Sequence, residues 1–482
     1  MQIDYEKLGF KAGLEIHQQL DTGKLFCKCP AFLQSKGPDF IVKRRLHRVA
    51  GETGEVDVAA EYESSLGREF IYQGYRDSNC LVELDESPPD MINSDALEEA
   101  IKIALLLNCE IYPAVQIMRK TVIDGSNTSG FQRTVLIGHS GFIETSFGKV
   151  PVESVALEED SARIISKDEK ISVYRLDRLG IPLVEIGTEP VMKRAEQVKE
   201  AALKIGEILR ACKVKRGIGT IRQDINMSIK GHERVEIKGF QEPSLMALTI
   251  NKEIERQQKE IKEGRGKKGE VRNALENGET EFLRPLPGGA RMYPETDLPL
   301  LRIGREKINE IKKKLPKLRH EIRDELKKKG LSDELINLVL DGHLDEFETL
   351  LQVYPIDAPL VAKLVTLWRQ ETATKLKKSF YEIAKVIDER TLEHLLELVK
   401  EGKLEKGQLK GVFSDLMMDI LLEDAVKKEK VDDNKLEAEI RDIVKKKPGL
   451  TVNAYMGMII QKLGKEIDKR KTMEILSKII GK

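Results

Sequence analysis

Apolar and polar residues alternate with a period of two in many short segments of the first 300 residues, and Gly or Pro separates these segments. Such alternation is typical of β-strands with one buried face, because successive side chains of a strand point to opposite sides. The pattern therefore predicts strands at six places that matter for function. They are GLEIHQQLDT, KVPVESVALEED, KISVYRL, IPLVEIG, TIRQDINMSI and RVEIKGF.

Apolar residues recur at helical spacing in two segments that lie among these strands, DALEEAIKIALLLN and AEQVKEAALKIGEILRAC. From about residue 303 onward, helical spacing replaces the alternating pattern almost completely. Pro316 is expected to break the first of these later helices, and Ser332 is a suitable N-cap for the next. The pattern predicts an α+β body, a helical middle and a small helical tail.

The length of 482 residues suggests roughly three domains, which we place at residues 1–300, 301–405 and 406–482. Lys and Arg together number 81, as do Asp and Glu, so the net charge indicates no class of partner. No apolar run reaches the roughly 18 residues of a membrane span, and the first residues do not resemble a signal peptide. We therefore expect a cytoplasmic protein that binds no membrane.

Glu15 and His17 stand two residues apart in the first strand, so they share a face while Leu14 and Ile16 point to the other. A polar face in contact with water is one explanation, and a metal site is another. Acidic residues in two further strands favour the metal site, because a buried ionised carboxylate is costly unless it is paired or binds a cation. Carboxylates with one histidine suit Mg²⁺ better than zinc. The further acids are Glu158, Glu159 and Asp160, which end one alternating segment, and Glu185, which stands inside the apolar run 181–186.

Basic residues accompany these carboxylates. Arg119, Lys120 and Arg133 flank a loop rich in Gly, Ser and Asn, of the kind whose backbone amides contact phosphates. Two further strands place opposite charges two residues apart, and ion pairs between strands would explain that spacing equally well. Taken with the carboxylates, the basic residues suggest a Mg²⁺-dependent ATP site. Its candidate nucleotide-binding residues are Arg119, Lys120, Arg222, Asp224 and Lys238, the last of which stands near Glu236.

Five cysteines are spread along the chain, and Cys27 and Cys29 form the motif CKC. A closed zinc site needs four ligands, usually from two close pairs, and the sequence contains no second cysteine pair. We therefore expect reduced thiols without a metal.

The segment GRGKKG, residues 264–269, has the glycine spacing of a dinucleotide fingerprint, but it follows a charged helix instead of a strand, which favours a basic linker.

Eight motifs follow one another along about 300 residues: GLEIHQQLDTGKLFCKCP, LVELDESPP, RKTVIDGSNTSGFQRT, LEEDSAR, YRLDRLGIPLVEIGTEP, RQDINMSI, VEIKGFQE and RPLPGGARMYPETDLP. In content and order they resemble the family formed by the B subunit of bacterial and the E subunit (GatE) of archaeal glutamyl-tRNA(Gln) amidotransferases. The forms VIDGSNTSGFQRT and RMYPETD are closer to E subunits. The missing second cysteine pair points the same way, because many B subunits carry one for zinc.

The resemblance implies a cradle-shaped α+β body with an antiparallel sheet, an all-helical middle domain and a tail similar to the YqeY proteins. It implies conversion of Glu-tRNA(Gln) into Gln-tRNA(Gln), in which ATP phosphorylates the γ-carboxylate of the tRNA-bound glutamate. Ammonia would come from an asparaginase-like glutaminase subunit (GatD), in a hetero-oligomer with two copies of each subunit. By position in the motifs, His17, Glu159 and Glu185 correspond to Mg²⁺ ligands, and Glu15 completes a second cation position.

Two other interpretations remain open from the sequence. A bacterial-type B subunit would work with an amidase partner, and a non-catalytic tRNA-binding adaptor would use its carboxylates only structurally.

The chain also departs from archaeal E subunits, which usually carry an inserted domain, similar to part of bacterial aspartyl-tRNA synthetase, between EIKG and RPLPG. Only about forty residues separate those motifs here, which brings the extent of tRNA discrimination into question.

Overall fold

The computed structural model describes residues 3–50, 54–240, 242–264, 269–286, 292–426, 433–463 and 469–480. The chain forms two compact units, Met1–Leu318 and Arg319–Lys482. Within the described ranges, no helix has both the length and the apolar character needed to cross a membrane. Most of the GRGKKG segment lies outside the described residues, so its assignment as a linker stays a prediction.

The first unit is built mainly from strands, and the second is helical throughout its described part. The strands are β1 (Lys11–Gln19), β2 (Phe40–Arg44), β3 (Glu69–Gly74), β4 (Glu110–Ile111), β5 (Ala114–Val115), β6 (Met118–Thr121), β7 (Phe131–Thr145), β8 (Gly148–Glu159), β9 (Arg163–Lys167), β10 (Ile171–Arg175), β11 (Pro182–Thr188), β12 (Ile221–Ser228), β13 (Val235–Phe240), β14 (Glu270–Ala274), β15 (Thr280–Pro285), β16 (Met292–Pro294) and β17 (Leu301–Arg302). The helices of the first unit are α1 (Val58–Ser65), α2 (Ser94–Leu106), α3 (Ala195–Arg210), α4 (Met246–Lys262) and α5 (Arg305–Lys313), with a 3₁₀ turn at Pro243–Leu245. Those of the second are α6 (Arg319–Lys328), α7 (Asp333–Leu340), α8 (Leu344–Val353), α9 (Ala358–Lys363), α10 (Arg369–Leu376), α11 (Phe380–Val386), α12 (Glu389–Lys400), α13 (Leu409–Leu416), α14 (Leu422–Val426), α15 (Asp433–Lys446), α16 (Val452–Leu463) and α17 (Lys469–Ile480), with a π-helical stretch at Leu364–Trp368 and a 3₁₀ turn at Lys406–Gln408.

Eleven of the described strands form one large sheet. Its order is β15-β14-β13-β12-β1-β11-β8-β7-β6-β16, with β4 added beside β7. Neighbouring strands run antiparallel except β13 and β14, which are parallel. A smaller sheet has the order β2-β3-β10-β9, and β17 pairs with β5. The predicted α+β class, with a large and mostly antiparallel sheet followed by helices, is confirmed.

One face of the large sheet is apolar and forms the main core of the first unit. In β1, Leu14 and Ile16 are buried in this core, as the alternation predicted. Helices α2 and α3 pack on the same face, where Ile101 and Ile205 are among their buried residues, and α4 packs beside α3. Burying one such side chain contributes about 1.5–3 kcal/mol, so this face fixes the orientation of every strand that crosses it.

All six predicted strands and both predicted helices are present, with ends shifted by a few residues. The predicted helix break at Pro316 is confirmed, because α5 ends at Lys313 and α6 begins at Arg319. The predicted N-cap is confirmed as well: the Leu335 amide donates to the Ser332 hydroxyl at 3.4 Å. Local patterns therefore predicted the elements correctly.

The boundaries between compact regions differ from the predicted ones. Ile311 of α5 packs in the core of the first unit, which therefore extends past residue 300. The second unit contains two apolar cores, one formed between residues 326 and 425 and the other between residues 436 and 476. The predicted division at residues 405/406 falls inside the first of these cores, because Phe413 packs within it. The similarity of the tail to YqeY proteins stays a prediction.

Candidate active site

The face of the large sheet opposite its core is polar at the centre. On this face His17 of β1 lies opposite Glu185 of β11 on one side and opposite Arg222 of β12 on the other. Glu15 lies opposite Asp224 of β12. Directly opposed residues of an antiparallel pair point to the same side of the sheet. The strand register therefore brings together ionisable side chains from β1 and the two strands beside it, β11 and β12. We call this surface the polar face.

A first group on the polar face consists of His17, Glu158 and Glu185. One potential ligand atom from each lies within 4.8 Å of the others, and His17 Nε2 is 3.3 Å from Glu185 Oε2. Lys120 of β6 reaches the same group, with its ammonium 3.0 Å from Glu185 Oε2 and in closer contact with Glu158. These atoms have the spacing of groups that surround one cation.

A second group shares His17 with the first and adds Glu15 and Asp224. Glu15 Oε1 is 3.4 Å from His17 Nε2. The ammonium of Lys238 is 2.8 Å from Asp224 Oδ2 and 2.5 Å from Glu236 Oε1. Each of the two groups is therefore accompanied by one lysine, and His17 lies between them.

The side chains of the polar face shift one another's pKa values. Burial and the charge of Glu185 raise the pKa of Glu158 and that of Glu15. Burial would raise the pKa of Glu185 as well, but Lys120 and His17 hold it well below its usual value. Burial opposes the protonated form of His17, yet Glu185 and Glu15 outweigh it and raise the pKa of the imidazole. Burial and the mutual repulsion of these carboxylates thus both disfavour the ionised forms of Glu15 and Glu158.

The residues of the polar face fit a hard divalent cation. Five carboxylates meet only two ammonium groups there, so a bound cation would relieve the excess of negative charge. Oxygen ligands with one imidazole suit Mg²⁺ better than a softer metal. The residues that would hold it are Glu15, His17, Glu158, Glu185 and Asp224.

The predicted ligand Glu159 lies elsewhere. Glu158 and Glu159 are consecutive in β8, so their side chains point to opposite faces of the sheet. The Arg133 guanidinium is 3.3 Å from Glu159 Oε2, and the Arg133 backbone amide donates to the same oxygen at 3.2 Å. The structure therefore brings Glu15, His17 and Glu185 together as predicted, but it places Glu158 beside them where the family motif had suggested Glu159.

The alternation within β8 contains the signal for this difference. Val155 and Leu157 are buried in the apolar core, so odd-numbered positions of this strand face the core and even-numbered positions face the polar side. Glu158 has the parity of the polar face, and Glu159 has the parity of the core. Position in the family motif indicated Glu159, whereas the parity within β8 places Glu158 beside His17; the role of either carboxylate as a metal ligand stays a prediction.

Arg119 and Lys120 are adjacent in β6 and point to opposite sides, so only Lys120 reaches the polar face. The Arg119 guanidinium is 2.5 Å from Glu295 Oε1 and 4.5 Å from the centre of the Phe131 ring. Arg133 donates to the other Glu295 oxygen at 2.8 Å. Glu295, fully buried in the motif RMYPETD, thus pairs with two arginines, and the sequence had suggested no role for it.

The other three predicted nucleotide-binding residues lie near the polar face, but each already has a partner in the protein. Asp224 accepts from Lys238, and Arg222 donates to Asp160 Oδ1 at 2.9 Å. Asp160 also accepts from the side-chain amide of Gln19 at 2.6 Å. These are the ion pairs between strands that the sequence had left open as an alternative. The binding of nucleotide by these residues stays a prediction.

The loop 124–130, which the sequence suggested as a phosphate contact, is attached to the protein at several points. The Tyr72 hydroxyl donates to the Gly125 carbonyl at 2.8 Å, and the Thr128 hydroxyl donates to the Glu83 carbonyl at 2.6 Å. Gly125 has a φ of +91°, and a Cβ at this position would overlap the Phe70 ring. Glycine is therefore required for the loop to sit this close to the smaller sheet.

The motif CKC has neighbours that the sequence did not indicate. Potential ligand atoms of Cys27, Cys29, Cys80 and Glu83 lie within 4.8 Å of one another. The Glu83 carboxylate is already paired with the Lys24 ammonium at 2.8 Å, and both side chains are buried. Lys24 therefore brings positive charge to this cluster from within the chain. The expectation of reduced thiols without a metal stays a prediction.

Comparison with known proteins places this geometry in a family. Residues 10–309 match the family model described as the GatB/GatE catalytic domain. A relative from Methanocaldococcus jannaschii, named as the E subunit of glutamyl-tRNA(Gln) amidotransferase, is 36% identical over 630 residues, with 99% of each chain covered. Relatives of the same name from Methanothermobacter thermautotrophicus and Methanococcus maripaludis are 33% identical, with 92% and 86% of both chains covered.

The match of 630 residues is longer than this chain of 482, so the relative contains segments that have no counterpart here. This agrees with the short connection between EIKG and RPLPG. The matched range 10–309 includes every residue of the polar face and the buried Glu295. The family model covers more than half of the chain, and the relatives cover most of it. The chain therefore belongs to the GatB/GatE family.

Proposed function

We propose that this chain forms the amide bond in an ATP-dependent conversion of Glu-tRNA(Gln) into Gln-tRNA(Gln). An oxygen of the γ-carboxylate of the tRNA-bound glutamate attacks the γ-phosphorus of ATP, ADP leaves, and an acyl phosphate forms. Ammonia then attacks the acyl carbon, loses a proton and displaces inorganic phosphate. Membership of the family and the charge of the polar face support this proposal.

The polar face suits a reaction whose two reactants repel each other. The glutamate carboxylate and the triphosphate are both anions, and phosphoryl transfer depends on positioning and on neutralising charge. When bound, Mg²⁺ would supply positive charge beside the phosphate oxygens. Lys120 holds Glu185 in its ionised form, which keeps this carboxylate ready to accept a cation. His17 Nε2 lies between oxygens of Glu185 and Glu15, at 3.3 and 3.4 Å, and these contacts orient its imidazole.

The single observation that carries the proposal is the convergence of Glu15, His17, Glu158 and Glu185 on one face of the sheet. A face in contact with water would not need three carboxylates around one imidazole. Hydrolysis of ATP that depends on Glu-tRNA(Gln) tests the proposal directly. A non-catalytic adaptor would bind the tRNA and leave ATP intact, so hydrolysis that did not respond to Glu-tRNA(Gln) would contradict catalysis.

The isolated chain is expected to lack glutaminase activity, because its sequence contains neither the Ser-rich motif of amidases nor the Thr-Gly-Gly motif of asparaginases. It is nevertheless expected to make Gln-tRNA(Gln) slowly from ammonium chloride and ATP. Chromatography of the amino acid released from the tRNA measures this product. Release of glutamate from glutamine by the isolated chain would contradict a separate glutaminase subunit.

The partner distinguishes the two catalytic interpretations. We propose an asparaginase-like glutaminase subunit (GatD), with two copies of each subunit in the complex, because all three relatives described above are E subunits. A pull-down with this chain as bait tests the proposal. Recovery of an amidase in place of an asparaginase-like subunit would instead identify a bacterial-type B subunit.

Basic helices of the chain suggest where tRNA binds. Residues 301–330 contain twelve Lys or Arg and five Asp or Glu, and Lys recurs at residues 445–447. Lys445 and Lys446 end α15, and Lys446 makes an ion pair with Asp442 at 2.8 Å. Lysines 427, 428 and 430 lie outside the described residues. A helix surface that is merely solvated is the alternative.

Replacing Lys445, Lys446 and Lys447 together by Gln is expected to weaken tRNA binding. Each phosphate contact releases counterions, so the slope of log Kd against log salt should fall by about 2 units, at about 0.7–0.9 per contact. Fluorescence titration at several salt concentrations measures the slope. Turnover at saturating tRNA should persist, because none of the three lysines belongs to the polar face. An unchanged slope would mean that tRNA binds elsewhere.

A further inference from the structure

Basic side chains surround Asp160 at the end of β8. This carboxylate is buried, and its Oδ1 accepts from Arg222 while its Oδ2 accepts from Gln19. Arg178 approaches the same Oδ2, with its Nε at 3.7 Å. Gln19 lies about 7 Å along β1 from His17, and Arg222 lies opposite His17 in β12 but donates to Asp160. The group therefore borders the polar face without being part of either candidate cation position.

Arg178 is held in a way that leaves part of its guanidinium available. Its Nε donates to the Ser161 carbonyl at 2.8 Å, and its Nη2 donates to the Ala162 carbonyl at 3.0 Å. Among the described residues, its Nη1 has no hydrogen-bond partner. A planar guanidinium fixed at two nitrogens loses little further freedom when the third binds an anion.

Lys215 approaches the same group from the loop 215–220, which precedes β12. The side-chain amide of Gln18 donates to the carbonyls of Lys215 and Thr220 at 2.9 and 3.2 Å, and so fixes both ends of the loop. The Lys215 ammonium contacts the Ala31 carbonyl, which is a neutral acceptor. The loop thus presents a partly buried ammonium next to β1, and its charge is not neutralised by that contact.

Positive charge is in excess around Asp160. Burial lowers the pKa of Arg178, and the neighbouring Arg222 lowers it further. Burial also lowers the pKa of Lys215, although Asp21 and Asp160 oppose this shift. Burial is the larger cause of both shifts, and an anion bound beside these cations would stabilise their charged forms.

Nearby acids do not remove this excess. Asp177 acts on Arg178, but its own carboxylate is buried and paired with Arg163 at 2.8 Å. Asp21 acts on Lys215 as well, but it is exposed to solvent, where its charge is screened. Arg178 and Arg222 therefore share one buried carboxylate, Asp160. Lys215 is connected to it through Gln19, whose carbonyl accepts from the Lys215 amide at 2.9 Å and whose side chain donates to Asp160.

We propose that Arg178, Lys215 and Arg222 form a binding site for a phosphate group, and that Asp160 positions the two arginines. The inference rests on the proposed function, because both of its reactants bring phosphates to the polar face: ATP through its triphosphate, and tRNA through its 3′-terminal phosphodiesters. The chemistry is the same for both sources, namely a phosphate oxyanion that accepts charge-assisted hydrogen bonds from guanidinium and ammonium groups.

Binding of inorganic tripolyphosphate to the full chain, measured by titration calorimetry without tRNA or metal, tests the site itself. Arg178→Gln and Lys215→Gln are each expected to weaken this binding at least about tenfold, because each removes a charge-assisted hydrogen bond. Arg216→Gln is the matched control: Arg216 is the next residue of the same loop, and within the described part of the chain its side chain donates only to the Arg210 carbonyl, at 2.9 Å. We expect this control to bind as the wild type does. Arg178→Lys keeps the charge and should retain most of the affinity, which guards against a misfolded Gln variant.

The dissociation constants of ATP and of Glu-tRNA(Gln) then identify the source of the phosphate. A weaker ATP complex with unchanged tRNA binding in the Arg178→Gln and Lys215→Gln variants assigns the site to the nucleotide, and the reverse result assigns it to the tRNA. Unchanged binding of all three ligands in folded variants, or no binding of tripolyphosphate to the wild type, overturns the proposal. Failure of the proposed function is a separate result, because it would appear as absent tRNA-dependent ATP hydrolysis in a wild type that still binds tripolyphosphate.

Discussion

The Glu158→Gln variant is expected to lose tRNA-dependent ATP hydrolysis by at least about 100-fold, whereas Glu159→Gln is expected to retain it. Glu158 lies with His17 and Glu185 on the polar face, and a neutral amide is a much weaker ligand for Mg²⁺ than a carboxylate. The side chain of Glu159 points to the other side of the sheet and binds Arg133. The same chemical change at two adjacent positions therefore shows which face of the sheet is needed for ATP hydrolysis.

Release of phosphate at saturating Glu-tRNA(Gln), followed over a range of Mg²⁺ concentrations, measures both variants. Loss of a ligand at Glu158 should also raise the Mg²⁺ concentration that gives half the maximal rate. Thermal unfolding of each variant shows whether its fold is intact. Wild-type turnover by Glu158→Gln would show that Glu158 is not part of the site. Equal losses of activity in both variants would show that Glu159 is needed as well.

The Lys24→Met variant is expected to lower the free energy of unfolding by about 3–5 kcal/mol, because it leaves the Glu83 charge buried without a positively charged partner. The Lys24 ammonium is 2.8 Å from Glu83 Oε1 and donates to the Ser78 carbonyl at 2.7 Å. The Cys80 amide donates to the other Glu83 oxygen at 2.8 Å, so the carboxylate is fixed in place. It cannot turn toward solvent when its partner is removed.

Urea unfolding of the variant and of two comparison proteins measures this effect. Lys36→Met is the surface control: Lys36 pairs with Asp39 and Asp77 in contact with solvent, where water and salt screen the charges and the pair contributes little to stability. Adding Glu83→Leu to Lys24→Met should restore part of the stability, because it removes the unpaired charge. A loss of less than about 1 kcal/mol in Lys24→Met would contradict a dependence of this region on the buried pair.

Local periodicity was sufficient to predict six of the described strands, two helices of the first unit and the first pair of the site. The strands, the helices and the shared face of Glu15 and His17 depend only on residues close in sequence, and the structure contains all of them. The neighbour of His17 in β8 depends on one further property, the parity of Glu158 relative to the buried Leu157. That parity is also local, so the alternation of β8 alone distinguishes Glu158 from Glu159.

Contacts between distant segments could not be predicted in this way. Glu295 meets Arg119 across 176 residues of chain, and Lys24 meets Glu83 across 59. Nothing in the alternation of either segment indicates which other segment it will contact, because that depends on the strand order and on the paths of loops. The extent of the helical cores was missed for the same reason: Phe413 joins residues that lie far before it in the chain.

Strand β1 contributes apolar side chains to the core on one face and the candidate site residues Glu15 and His17 on the other. A change in its length would therefore be less well tolerated than a substitution. A single residue inserted in β1 ahead of Leu14 would reverse the side on which every following side chain of this strand lies. Leu14 and Ile16 would then meet water, while Glu15 and His17 would enter the apolar layer beside α3. Substitutions can change one property of this strand at a time, but an insertion or deletion of one residue would remove stability and chemistry together. We therefore expect functional variants of this chain to contain substitutions in β1 but no insertion or deletion of a single residue there.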